Sequence, residues 1–180
     1  MSITHHSSLE EIAAIVSEAL TAKGLEAVLS GGAVVTIYSK NEYQSNDLDF
    51  VSPESIKELE EVMRSLGFQK EGRHFTHPNT KFFVEFPAAP LAVGNQPVKK
   101  WDQLKTAHGT IQILTPTDSV MDRLAGYFAW KDKQNLDQAV MIALRHPIKF
   151  SKIKAWAKTE NEIEKYEKFL SEIKKRSPKP

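Results

Sequence analysis

The segment Asp47-Leu48-Asp49-Phe50-Val51 alternates carboxylates with apolar side chains. Successive side chains of a strand point to opposite faces. As a strand, the segment carries Asp47 and Asp49 on one side and Leu48 and Phe50 on the other. The apolar side demands a covering layer. The acidic side sets two like charges next to each other, which is unfavourable unless something cationic compensates. A hard dication with oxygen ligands is one solution; a solvated strand edge is the alternative.

The rest of the chain supplies the layers. Ser7 and Glu10 have capping-box spacing, and Leu9, Ile12, Val16 and Ala19 follow at helical period before Gly24 stops the helix. Ala27-Val28-Leu29 reads as a buried strand entering a turn at Ser30-Gly31-Gly32, with a short helix over residues 33–38. After the acidic strand, Ser52-Pro53 opens a helix with Ile56, Leu59, Val62, Met63 and Leu66 on its apolar face and Gly67 at its end. Residues 68–86 read as two strands around a turn at His77-Pro78-Asn79, the second over 81–86. A proline-rich loop covers 87–97 and a further strand 110–114. From Thr115 onward the pattern is helical, over 117–131, 135–145, a short piece near Ile153, and 160–175, with a frayed tail over 177–180. This order predicts an α/β (α+β) fold. A mixed β-sheet packed against helices occupies residues 1–115, and a C-terminal helical segment packed on it occupies 116–180.

Composition narrows the function. The 24 basic and 23 acidic residues leave a net charge of +1, so no global basic field invites non-specific nucleic-acid binding. The absence of cysteine excludes disulfides, zinc–thiolate sites and cysteine nucleophiles. His74 and His77 lie in a strand–turn region with no shared helix face, which argues against a zinc site there. Residues 1–8 lack the apolar run of a signal peptide, and no stretch approaches the roughly 20 apolar residues of a membrane helix. The expectation is a soluble cytoplasmic protein with no membrane contact. Trp101, Trp130 and Trp156 are expected to pack rather than stack on bases.

Two further features converge on the aspartates. Ser30-Gly31-Gly32 lies between an apolar strand and a helix start, where glycine lets the backbone approach a ligand and amide groups suit phosphate oxygens. Glu85 is the one carboxylate in the apolar run Phe82-Phe83-Val84-Glu85-Phe86, and a buried carboxylate needs a partner or a metal. An edge position facing water would also satisfy it.

The order of a Gly-Gly turn, an Asp-x-Asp strand and a later single carboxylate resembles the polymerase-beta-like nucleotidyltransferase superfamily. Leu29-Ser30-Gly31-Gly32 matches its first part, Ser45-Asn46-Asp47-Leu48-Asp49-Phe50 its second and Glu85 its third. The spacing is most similar to the bacterial AbiEii-type branch, toxins paired with antitoxins, to which Tyr38 and Ser45 also correspond. That branch commonly has an arginine two residues before the serine; here the position is Tyr43. Thr115-Pro116-Thr117-Asp118 through Asp122-Arg123-Leu124-Ala125 is similar to the helix on which relatives carry a basic residue.

The resemblance implies a magnesium-dependent nucleotidyltransferase that moves a nucleoside monophosphate from an NTP such as ATP to an acceptor hydroxyl. By it, Asp47, Asp49 and Glu85 are the catalytic carboxylates and ligands of two Mg2+ ions. Ser30, Gly31, Gly32, Ser45, Arg123 and Lys131 bind nucleotide. The acceptor, whether tRNA, protein or small molecule, is left open, as is an antitoxin partner. The alternative is a catalytically inactive nucleotide- or partner-binding module on the same fold. A glycosyltransferase using its Asp-x-Asp fits less well, because the Gly-Gly turn then has no role.

Overall fold

A computed structural model of the chain describes residues 3–177. Met1, Ser2 and residues 178–180 of the expected frayed tail lie outside the described residues. Helix α1 (Leu9–Ala22) begins one residue later than the spacing predicted. Its capping box is Ser8 with Glu11. Ser7 instead accepts a hydrogen bond from the Thr4 amide at 3.0 Å. The shift places Leu9 at the first helical position, where it is buried.

Strand β1 (Val28–Ser30) runs directly into helix α2 (Gly31–Tyr38), which is buried along most of its length. Four β-branched residues, Val34, Val35, Thr36 and Ile37, in so short a helix oppose its intrinsic propensity, and tertiary burial outweighs that. Tyr38 ends α2 with its hydroxyl donating to the Leu114 carbonyl at 2.7 Å. Burial, with the nearby charge of Asp102, raises the pKa of this phenol, so it stays protonated as a donor. Tyr38→Phe leaves that carbonyl without its phenolic partner and is expected to cost about 1–3 kcal/mol in urea unfolding.

Strand β2 (Asp47–Val51) carries the predicted alternation, with Leu48 and Phe50 fully buried and its odd-numbered residues half-buried. Helix α3 (Ile56–Ser65) is capped by Ser55 and Glu58, not by Ser52 and Pro53. Ser52 is engaged elsewhere, donating to the Glu26 carbonyl at 2.5 Å and accepting from the Glu54 amide at 3.2 Å. Residues 68–86 hold three strands rather than two: β3 (Gln69–Glu71), β4 (His74–Thr76) and β5 (Phe83–Glu85). The hairpin turn between the first two falls at Gly72, with φ +64°, and His77-Pro78-Asn79 lies in the following connection.

The proline-rich loop contains a small hairpin, β6 (Ala92–Val93) and β7 (Gln96–Pro97). Strand β8 (Asp102–Thr106) was not foreseen and pairs with β9 (Gly109–Ile113). Four helices follow: α4 (Pro116–Trp130), α5 (Lys133–Ala143), α6 (Phe150–Thr159) and α7 (Ile163–Arg176). None of the described helices is long and apolar enough to cross a membrane. Trp101 bonds Gln112 and Trp156 is buried, but Trp130, expected to pack, is 83% exposed at the end of α4.

The main sheet is mixed, in the order β3-β4-β5-β2-β1-β9-β8. Strands β2 and β5 are parallel, as are β1 and β9; the other neighbours are antiparallel. Helix α1 packs on β9, α2 on β2, and α4 and α5 against α2. One buried apolar cluster runs from Leu9 through Leu29, Phe50 and Val84 of the sheet to Trp156 and Phe169. The architecture is thus a mixed α/β one with a mixed sheet and packed helices.

Candidate active site

The sheet register assembles the site. Ser30 pairs with Asp49, Asp49 with Glu85, and Glu85 with His74. Residues in direct register on neighbouring strands share a face. The four side chains therefore form one lateral row across β1, β2, β5 and β4, with Asp47 on the same face of β2. Leu48 and Phe50 turn to the opposite, buried face, where Val84 and Leu29 lie beside them. The apolar alternation thus orients the acidic one: a register slip of one residue would bury both aspartates.

Charges gather at Asp49. Burial first, then the neighbouring charges of Asp47 and Glu85, push its carboxyl up to about 6. Arg123 pulls it back down, and Asp122 adds to the rise. Glu85 is 19% exposed and held by His74 Nε2 at 2.7 Å and Arg73 Nε at 3.5 Å. It is neither the water-facing edge residue nor a free carboxylate. In the sequence His74 is weighed only with His77 as a zinc ligand, and Arg73 carries no signal; register and turn bring both to Glu85.

The glycines fit closely. Gly31 has φ +68°, and a Cβ there would lie 2.5 Å from Asp49 Oδ2. A Cβ on Gly32 would lie 3.0 Å from Ser45 Oγ and 3.4 Å from the Tyr43 ring. Ser45 is buried; its hydroxyl donates to the Asp47 carbonyl at 3.2 Å and also meets Asp47 Oδ1. Its amide donates to Thr36 Oγ1 at 2.9 Å, which ties the loop before β2 to α2. Ser30 donates to the Asp49 carbonyl at 3.3 Å.

Arg123 stands on α4 with its charge acting on Asp49, but its hydrogen bonds go elsewhere. Its Nε and Nη2 reach Asp122 Oδ2 at 3.0 and 2.5 Å, and its Nη1 reaches Gln138 Oε1 at 3.3 Å. Lys131 is not brought to this cluster. It is the C-cap of α4, in the left-handed region at φ +53°, roughly 12 Å along the helix axis from Arg123. It lines a different cleft, with Lys165 and Arg176 of α7.

The donors fit a dication in kind. Asp47 and Asp49 offer hard oxygens on one face, and the missing Cβ of Gly31 keeps Asp49 accessible. As they stand, no group of three or more acidic or histidine side chains among the described residues converges tightly enough to hold an ion. The third donor is turned toward His74.

No protein-family model matches the chain, and no curated protein does. Among solved structures it is similar to the solution structure of the antibiotic-resistance factor ANT(2'')-Ia, at 13% identity over 93% of this chain and 91% of that one, with a TM-score of 0.48. It is also similar to the crystal structure of ANT(2'')-Ia in complex with adenylyl-2''-tobramycin, at 13% identity over 93% and 97%, with a TM-score of 0.49.

Proposed function

We propose that the chain is a dication-dependent nucleotidyltransferase, moving a nucleoside monophosphate from an NTP to an acceptor hydroxyl. One observation carries the reading: Ser30, Asp49 and Glu85 stand in direct register on three strands, with Gly31 closed against Asp49. Asp47 and Asp49 would hold the magnesium, and Glu85 would join them by giving up His74. When bound, the metal supplies charge neutralisation along the triphosphate.

The protein's own groups do the rest. The start of α2 at Gly31 and Gly32 offers amides to phosphate oxygens. Arg123 supplies positive charge for the leaving pyrophosphate. The acceptor oxygen attacks the α-phosphorus, the bond from that phosphorus to the pyrophosphate oxygen breaks, and pyrophosphate departs. The hydroxyl proton passes to Glu85, once it has left His74. Ser45 fixes Asp47 from behind. The AbiEii-type resemblance extends the reading to a cytoplasmic toxin restrained by an antitoxin.

The test is transfer of α-phosphate label from each NTP to a panel of tRNA, protein and small-molecule acceptors. Label transfer that EDTA abolishes and Mg2+ restores is expected. NTP binding without transfer to any acceptor would instead identify an inactive binding module, the outcome foreshadowed by the Glu85–His74 pair.

A further inference from the structure

The helix that begins at the glycine turn and the loop that leads to Asp47 meet at one hydroxyl. Thr36 stands on α2, one turn past Gly32, and is 3% exposed. Its Oγ1 donates to the Gly32 carbonyl at 3.1 Å and accepts from the Ser45 amide at 2.9 Å. The first bond runs back to the residue four positions earlier, as threonine hydroxyls in helices often do. The second is not helical. It crosses from α2 to a loop residue nine positions later. Thr36 is the only acceptor of the Ser45 amide among the described residues.

The loop is shaped to return there. Lys40 and Asn41 lie in the left-handed region, at φ +53° and +65°, and turn the chain back along α2. The buried Ser39, at the end of α2, accepts from the Tyr43 amide at 3.1 Å through its Oγ. Two buried hydroxyls thus hold the returning segment by its amides. Ser45 lands against Gly32, where a Cβ would lie 3.0 Å from Ser45 Oγ. That Oγ in turn meets the Asp47 carbonyl and carboxylate. Thr36 is therefore bonded directly to the glycine turn and, through Ser45, to Asp47.

We infer that Thr36 is a positioning residue that keeps the metal-binding and triphosphate-binding halves of the site in register. The inference rests on the nucleotidyltransferase reading above. Thr36 touches neither ligand. It acts on Asp47 through Ser45, and on the amides at the start of α2 through Gly32. Without the hydroxyl the Ser45 amide is buried with no acceptor, so the loop must shift to find one. Ser45 then moves relative to Gly32, and Asp47 moves with it. A hydroxyl can donate to one side while it accepts from the other, and a methyl group can do neither. Serine at position 36 preserves both bonds; valine and alanine preserve none.

The experiment follows binding of a non-hydrolysable ATP analogue to the full-length chain by calorimetry, across a series of Mg2+ concentrations. Thr36→Val is expected to raise the Mg2+ concentration at half-maximal binding about ten-fold or more, the usual cost of removing a group that orients metal ligands. Thr36→Ala, which sets no methyl group against the Ser45 amide, is expected to match it. Thr36→Ser is expected to keep the wild-type value. Tyr38→Phe also deletes a hydroxyl bond from α2 and lowers stability, yet is expected to leave the Mg2+ dependence unchanged. Without any ligand, hydrogen exchange at the Ser45 amide is expected to quicken in the valine and alanine variants and not in the serine one. A wild-type Mg2+ dependence in both Thr36→Val and Thr36→Ala overturns the inference and leaves the transferase reading standing. So does a shift of the same size in Tyr38→Phe or Thr36→Ser. A wild-type chain that binds the analogue without regard to Mg2+, or not at all, removes both.

Discussion

Asp49→Asn is expected to abolish nucleotidyl transfer and, at pH 7.5, to make the protein more stable. Both effects come from one carboxylate held where ionisation is unfavourable. Its folded-state pKa is about 6 against an ordinary 3.8, because burial and the charges of Asp47 and Glu85 oppose the anion. Below about pH 4 both folded and unfolded chains keep the proton and the residue costs nothing. Between the two values the folded chain holds a proton that the unfolded chain has released. Stability from this group is therefore lost as pH rises through 6, and above it the full cost is present. A shift of two units corresponds to about 3 kcal/mol, which partial solvent contact reduces to about 1–2 kcal/mol. Asparagine removes that cost and is expected to raise the melting temperature by roughly 3–6 °C at pH 7.5, with no gain at pH 3.5. Adding Mg2+ and NTP reverses the order, since only the wild-type chain gains stability from the ligand. Thermal scans at the two pH values, with and without ligand, check all of this. A variant less stable than wild type at pH 7.5 would falsify the assignment. The same variant is the control for toxicity on expression: growth arrest by the wild type and none by Asp49→Asn is the expected pair.

Gly31→Ala carries the second large effect. At φ +68° an alanine is strained by about 1–2 kcal/mol, and its Cβ would lie 2.5 Å from Asp49 Oδ2. The carboxylate must swing away from the row it shares with Ser30 and Glu85. A displacement of about 1 Å at reacting groups costs on the order of 100-fold in rate. Gly24 provides the comparison, with φ +73° and nothing within 4 Å of an added Cβ. Gly24→Ala is expected to lose the same strain energy and no activity. Equal activity of the two variants would show that Gly31 serves the turn alone.

These two residues also mark how far the sequence could be read. The period-two alternation at Asp47–Val51 announced its own faces, and Ser30-Gly31-Gly32 announced a close approach, because both signals are local. What Gly31 approaches is not local: Asp49 arrives by antiparallel pairing. Glu85 stood out as a lone charge in an apolar run, but its pairing with Asp49 follows from sheet order, and its hold on His74 from a hairpin at Gly72. The start of α1 went astray because Ser7 and Ser8 both stand three residues before a glutamate, and the burial of Leu9 decides between them. Strand β8 left no trace, since an edge strand with mostly exposed side chains needs no apolar alternation. Lys131 was placed near the nucleotide by resemblance alone, and the length of α4 carries it away.

The parallel pairing of β1 with β9 has a consequence for the order in which the molecule is made. Leu29 meets Ile113 only after every strand between them has been synthesised. Closing so long a loop costs entropy before any contact returns it. A nascent chain that has emerged as far as Gly94 already contains β1, β2 and β5, and so every carboxylate of the row. It lacks the strand that flanks β1 on the other side, the Leu114 carbonyl that anchors Tyr38, and the helix that brings Arg123. The acidic face is thus written early and charge-balanced late, which separates possession of the carboxylates from possession of a working site.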